Sequence, residues 1–240
     1  MTQAVDLANA INGFVVGCKQ DGIWDAIKAC CIMAAWDGLN GALYPLKGTA
    51  PTPYNFVSGD YDRKTGLKGD GSIKYIDSGR DNDEDPQNNN HASVFVTEGI
   101  TLPNTPQVFF GASGGTGTTA RFIQNANGSL NAKANDGSAL FTSIAGEGVT
   151  TGLKGVSRVN PSLYSIRTGG ANYTGTQVSA APSNTRLSVF RRTDSTQYLN
   201  ARLSFYSIGE ALPDGPTKTG LQLLDERVSA LITAIGAAIP

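Results

Sequence analysis

One histidine, His91, and three cysteines, Cys18, Cys30 and Cys31, are all that this 240-residue sequence offers to imidazole or thiol chemistry. A structural zinc site needs four such ligands at tight spacing, and neither a C-x-x-C pair nor a Cys/His cluster exists. An odd cysteine count with two neighbours is a poor disulfide framework, because adjacent cysteines reach ordinary disulfide geometry only with strain. The three are read as small buried hydrophobes of a protein folded in a reducing cytoplasm. Charge is scarce as well: Asp, Glu, Lys and Arg make up 16% of residues, against about 25% in soluble domains generally. The net charge is −1 and the pI about 5.8. The basic pairs Arg63-Lys64 and Arg191-Arg192 are isolated, so the electropositive stripe of a nucleic-acid binder is missing. Both pairs are expected on solvated strand edges or loops. No apolar run approaches the ~18 residues of a membrane span, and no signal-type leader is expected.

What is abundant is glycine, 29 residues, together with Asn, Ser and Thr. That neutral polarity suits a loop-rich β protein. The first forty residues differ from the rest. Val5, Ala8, Ile11 and Val15 recur at helical spacing, as do Ile23, Ile27 and Cys30 or Cys31, which predicts one or two short helices. Asp21 is placed to cap the second, with Gly22 in its first turn. The run Cys30 to Trp36 reads as helix continuation or as a buried first strand.

From residue 49 onward the pattern is strand and turn. Tyr54 to Val57 could pair, and residues 77–92 read as a long polar surface loop. Ser93 to Thr97 and Gln107 to Gly111 are short apolar strands. Asn127-Gly128 joins Ala120–Asn125 to Ser129–Ala134, a strong hairpin signal because both turn positions tolerate positive φ. Asn160-Pro161, between Lys154–Val159 and Leu163–Thr168, is a second hairpin candidate. Leu199, Ala201, Leu203 and Phe205 alternate with Asn200, Arg202 and Ser204, which predicts one dry and one wet face. The fold expected is mainly β: an antiparallel β-sandwich with short N-terminal helices and a C-terminal helix. A parallel sheet would need helices between successive strands, and none are available. Residues 1–29 form the helical segment, 30–212 the sandwich, and 213–240 a linker and amphipathic helix. Thr219 and Gln222 have capping-box spacing for that last helix. Behind them Leu221, Leu224, Val228, Leu231, Ile235 and Ala238 form a seam that could pack on the sandwich or hold an oligomer.

Three reactive constellations are weighed and none is assigned. A Ser-His-Asp arrangement would have to use His91, which falls in the polar loop and reads as solvated. Asp81, Asp83 and Asp85 alternate, as paired acids of a glycosidase or the opening of a calcium cage would. Pro86 and Ala92 then break the EF-hand pattern where Gly and Glu are required, and calcium stays the one cofactor left open. Glu98, Glu147, Glu210 and Glu226 are scattered singly. Tyr54, Tyr61, Tyr164, Tyr173 and Tyr198 are candidate rim residues for stacking on sugar rings. No catalytic, cofactor or metal residue is therefore named, and the chain is read as a non-enzyme.

Three ordered stretches resemble the laminin-G-like, concanavalin A-like superfamily. Gly69-Asp70-Gly71-Ser72-Ile73-Lys74-Tyr75-Ile76-Asp77 is similar to its "F-D-G-x-x-D-Y-V" lead-in to an early strand. Gly155 to Gly170 resembles the central hairpin, and Leu203 to Leu212 the closing strand and turn. Ser58 to Ser72, the Asn-rich stretch near Pro86 and the "F-Y-S-I-G-E-A-L" ending resemble virion and minor structural proteins of tailed phages. That resemblance implies a jelly-roll sandwich in a tail, fibre or head-surface protein, located in the virion and assembled in the host bacterial cytoplasm. Its partners would be other virion proteins and copies of itself, with a trimer favoured, and neither nucleic acid nor membrane. The alternative it leaves is a carbohydrate-binding adhesin recognising host glycans; the third is a polysaccharide-cleaving enzyme. Phage members often extend further upstream, so Met1 is expected to open a fragment.

Overall fold

A computed structural model describes residues 3–101, 104–113, 120–137, 141–193 and 196–240; Met1 lies outside them. Helix α1 (Gln3–Gln20) leads into strand β1 (Ile27–Ile32), the single turn α2 (Leu39–Ala42) and strand β2 (Pro45–Lys47). Strands β3 (Thr52–Tyr54), β4 (Tyr61–Asp62), β5 (Gly66–Lys68) and β6 (Tyr75–Asp81) follow. The middle holds β7 (Asn90–Glu98), β8 (Gln107–Ser113), β9 (Ala120–Ala126), β10 (Ser129–Asp136) and β11 (Thr142–Ile144). Next come β12 (Gly152–Arg158), β13 (Tyr164–Thr168), β14 (Ala171–Gly175), β15 (Arg186–Val189) and β16 (Arg202–Gly209), and helix α3 (Gly220–Ala238) closes the fold.

The strands form two sheets, antiparallel throughout their named pairings. One runs β14-β13-β12-β7-β16-β1-β2, with β5 and β4 attached beside β16; the other runs β11-β10-β9-β8-β15-β6-β3. Between them lies an apolar core built from Val94, Val96, Val156 and Leu203 on one side and Phe109, Ile123, Leu130 and Val189 on the other. The first sheet is covered on its outer face too. Phe95, Leu153 and Phe205 point away from the sandwich and pack on Phe14 of α1 and Leu221, Leu224, Val228 and Leu231 of α3. The molecule is thus three layers: helices, helix-backed sheet, second sheet.

The expected architecture is present, and its hairpins are where the turn residues put them. Asn127 and Gly128 sit at φ 51° and 80°, the left-handed pair that a two-residue turn demands. Thr219 caps α3, its side chain accepting from the Gln222 backbone N–H at 3.3 Å. The α3 seam turns inward onto its own chain, so the apolar stripe that suggested an oligomer is already covered.

Four local expectations fail, each for a tertiary reason. The helix expected over Ile23 to Cys31 is not formed: the chain turns at Asp21-Gly22 and enters β1. A bulge between Ile27 and Ala29 puts Ile27 and Cys30 on one face, and that three-residue spacing mimics a helix. The one-dry, one-wet alternation fails for β16: a bulge between Leu203 and Phe205 leaves Leu203 in the sandwich and turns Phe205 to the helices, and Ser204 between them is buried. Residues 77–92 are not an exposed loop: β6 occupies 75–81, a 3-10 turn spans Asn82–Glu84, and β7 begins at Asn90. His91 accordingly lies in a strand and is fully buried.

Buried charge ties the sheets together along one end of the sandwich. Arg121 on β9 reaches Asp85 at 3.1 Å, and Arg80 grips the same carboxylate at 2.6 Å. Arg158 on β12 crosses to Asp136 on β10 at 2.5 Å and also donates to the Ala134, Asn160 and Gln177 carbonyls. Breaking such a pair leaves an uncompensated interior charge, which costs about 3–5 kcal/mol. Asp136→Asn should therefore lower unfolding free energy by about that much, read as a drop in the urea midpoint at unchanged slope.

His91 supplies a pH test. Its Nδ1 contacts the Glu210 carbonyl at 2.5 Å and its Nε2 the Ser207 hydroxyl at 3.0 Å. Burial pulls its pKa down to about 4. The unfolded chain therefore takes up a proton that the folded one refuses between pH ~6.5 and ~4, and stability falls as pH drops through that window. The loss is about 3 kcal/mol. Urea titrations at both ends of the window should show it, and His91→Gln should flatten the slope there.

Candidate functional site

The strand β6 begins with Tyr75, and register pairs it with Tyr54 of the edge strand β3. Paired neighbours on one face of a ladder are close enough for rings to touch. These two lie flat on each other, centroids 4.4 Å apart and planes 4° from parallel. Beyond β15, the segment carrying Arg191 and Tyr198 folds back over the same surface. The Arg191 guanidinium lies 3.3 Å from the Tyr75 ring centroid and donates to the Tyr198 hydroxyl at 3.2 Å. Tyr198 completes the row, 6.3 Å from Tyr75. The result is a shelf of Tyr54, Tyr75, Arg191 and Tyr198, with Tyr54 exposed at its outer end. Arginine is suited to this place because its planar cation stacks on aromatic faces.

Tyr198 is also one wall of a cleft of about 280 Å³. Asp70, Gly71, Thr105, Gln107, Gln197 and Asn200 supply most of the remaining lining. The polar groups are held in place. The Asn200 backbone N–H donates to Gln107 Oε1 at 2.8 Å, and Asn200 Nδ2 to Thr101 Oγ1 at 2.9 Å. Gln124 donates to Gln197 Oε1 at 3.1 Å. Asp70 Oδ1 receives three backbone N–H groups, from Ser72, Ile73 and Lys74. Partial burial works against the Asp70 carboxylate, yet those donors and the Lys74 cation hold its pKa below the ordinary range. Its second oxygen stays available as an acceptor. An aromatic shelf beside fixed amides, hydroxyls and one ionised carboxylate can bind a ring with polar substituents along its edge. A larger hollow of about 560 Å³ lies between α1, Trp36 and Arg63. Its lining is mostly alkyl, with few groups to orient a ligand.

The sequence-level candidates divide. Tyr54 and Tyr198 come together at the shelf. Tyr164 is fully buried in the core, donating its hydroxyl to the Ala132 carbonyl, so it is no rim residue. Tyr61 donates to the Trp36 carbonyl at 2.6 Å, and Tyr173 leans on the core. Asp81, Asp83 and Asp85 do not converge: Asp81 faces Arg186, Asp83 is exposed, and Asp85 is sealed between Arg80 and Arg121. Among the described residues no group of three acidic, Cys or His side chains could hold a metal ion. Glu98 sits against Lys68 and Arg202, Glu210 against Lys28, and Glu226 against Lys218. Glu147 accepts from Thr150 and Thr168. The three thiols are free and buried, and burial pushes Cys18 and Cys31 up to about 12.

Sequence reading missed Tyr75, Arg191, Gln107 and Asn200. Tyr75 lay inside a quoted motif. The Arg191-Arg192 pair gave no sign of its stacking, which needs three segments from distant parts of the chain.

No protein-family model and no curated protein sequence matches this chain. Solved structures do. The binding domain of botulinum neurotoxin serotype D superposes with a TM-score of 0.53 at 10% identity, over 87% of this chain and 52% of that one. A receptor-binding domain of the mosaic serotype C/D gives 0.54 at 11%, over 87% and 51%. Trypanosoma rangeli sialidase in complex with 2,3-difluorosialic acid gives 0.59 at 10%, over 85% and 33%. The chain spans about half the length of the toxin domains and a third of the sialidase. At these identities the likeness is one of fold alone, a two-sheet antiparallel β-sandwich.

Proposed function

We propose that this chain is a glycan-binding attachment module, non-catalytic, carried on a tailed-phage particle as its sequence resemblance implies. The observation that carries the reading is the Tyr54–Tyr75–Arg191–Tyr198 shelf bordering the cleft of Asp70, Gln107 and Asn200. A pyranose ring offers an apolar C–H face and a rim of hydroxyls. Tyr198, at the cleft, and Tyr54, at the outer end of the shelf, supply flat surfaces for the first in successive sugars of a chain. The cleft amides and Asp70 supply directional partners for the second in the sugar beside Tyr198. The matched structures support the class, since they are a toxin binding domain, a toxin receptor-binding domain and a sialidase in complex with a fluorinated sialic acid. The non-catalytic reading is favoured by Asp81, Asp83 and Asp85, which face arginines or water in place of a shared groove.

The same geometry ranks binding above a purely structural role. A display scaffold has no use for an ordered arginine held between rings at the surface, with fixed amides beside it.

A glycan array should show selective binding. Tyr54→Ala and Tyr198→Ala should each weaken the best ligand about fivefold or more, roughly 1 kcal/mol per lost ring contact. Tyr54 is 40% exposed, so its replacement forfeits little beyond the stacking on Tyr75 and should lower the thermal midpoint by only about 2–4 °C. Absence of binding to any host surface glycan would return the chain to a scaffold. Release of reducing ends from a polysaccharide would make it an enzyme.

A further inference from the structure

Every open sheet must manage its edges, because an unpaired row of backbone N–H and C=O groups recruits another strand. Three of the outer strands here are guarded. β2 carries Pro45 and Lys47, β3 carries Pro53, and β4 is two residues long with Asp62. The fourth, β11, has only three residues. The remaining edge is β14, Ala171-Asn172-Tyr173-Thr174-Gly175. It has five residues, no proline and no charge. Its register with β13 is unbroken from Thr168↔Ala171 to Tyr164↔Gly175. No described segment pairs with its other side.

Next to this edge lie three exposed apolar side chains. Val159 and Leu163 flank the turn between β12 and β13, at 65% and 43% exposure, and Val178 follows β14 at 68%. They belong to one locality, because Ser179 donates its backbone N–H to the Pro161 carbonyl inside that turn.

We propose that the β14 edge is an interface between two copies of this chain, joined antiparallel about a twofold axis. A second copy is the occupant the chemistry selects. An uncharged strand meets its own image without setting like charges opposite one another, and antiparallel pairing of one edge with itself is the isologous contact that closes after two subunits. The exposed valines and leucine then bury against the partner at the ends of the new ladder. This gives a dimer, where the seam of α3 had suggested a trimer, and that seam is buried within its own chain.

The placement has a consequence for binding that rests on the glycan reading. In the stacked sheets β14 lies with β11 on one flank and β3 on the opposite one. Pairing through β14 therefore leaves the Tyr54 shelf of each copy on the outer flank. Two weak sites facing away from one joint bind a repetitive surface with an avidity neither has alone.

Sedimentation equilibrium on the intact chain at high micromolar concentration should give about twice the 25.1 kDa chain mass. Thr174→Lys places a desolvated cation in the paired edge, and Val178→Lys charges the flanking patch outside the strand. Each should weaken association about tenfold or more, with melting temperature and circular dichroism unchanged. A wild-type monomer, a trimer, or a dimer indifferent to both charges would overturn the assignment. Calorimetric titration with a soluble monovalent sugar reads the cleft separately: it should depend on Tyr54 and not on Thr174. Failure of the joint and failure of the glycan site are thus told apart.

Discussion

The helix-backed sheet has to be dry on both faces, and most of the structure follows from that. β7, β12 and β16 are central strands whose side chains are buried whichever way they point. One set fills the sandwich; the other, Phe95, Leu153 and Phe205 among them, would lie in water without α1 and α3. Covering apolar surface contributes about 25 cal/mol per Å². The two helices are therefore part of the fold and not appendages to it. Gly155 shows how close the layers come: a Cβ there would lie 2.8 Å from Leu221 of α3.

A sheet with two dry faces leaves little room for polar groups, yet several are present, and most are tied; the Ser204 hydroxyl on β16 is buried without a hydrogen-bond partner. His91, Ser93 and Ser207 form a chain of contacts on the helix side, ending at the Glu210 carbonyl. Arg167 meets Asp225 of α3 at 2.8 Å, and Arg227 meets Asp21 after α1 at 2.7 Å, so charge as well as shape registers the helices. At the sandwich end, Arg121–Asp85 and Arg158–Asp136 stitch one sheet to the other. Interior pairs of this kind stabilise less than apolar packing would, but they punish any misplaced register. A serine and a histidine in contact, sealed from solvent, are a structural device here. Geometry without access is not a nucleophile.

With one face of the helix-backed sheet occupied, surface for recognition is left on the second sheet and on its flanks. The β3–β6 flank has become a place where tyrosines stack in the open and an arginine is stabilised by rings in place of a carboxylate. The segment around Tyr198 carries that chemistry because it leaves the sheet after β15 and folds back across it. The opposite flank ends in an undefended strand. The proposed binding surface and the proposed joint thus lie at opposite ends of one sandwich.

Alternation and turn chemistry are local, and so they were legible in the residues. The hairpins at Asn127-Gly128 and Asn160-Pro161, the strands around Val94 and Ile166, the capped final helix and the two-sheet antiparallel plan all follow from side-chain period and from the residues at turns and caps. What the tertiary structure alone decided are the matters that depend on a distant partner. The bulge after Ile27 disguised a strand as a helix. The helices dried a face whose serines read as wet. Ion pairs with Arg80 and Arg121 drew Asp85, and pairing of β7 drew His91, out of an apparent loop into the interior. Tyr54, Tyr75, Arg191 and Tyr198 are separated by up to 144 positions in the chain, and only sheet register and a folded-back segment set them ring against ring. Period is written in the sequence; coincidence in space is a product of packing.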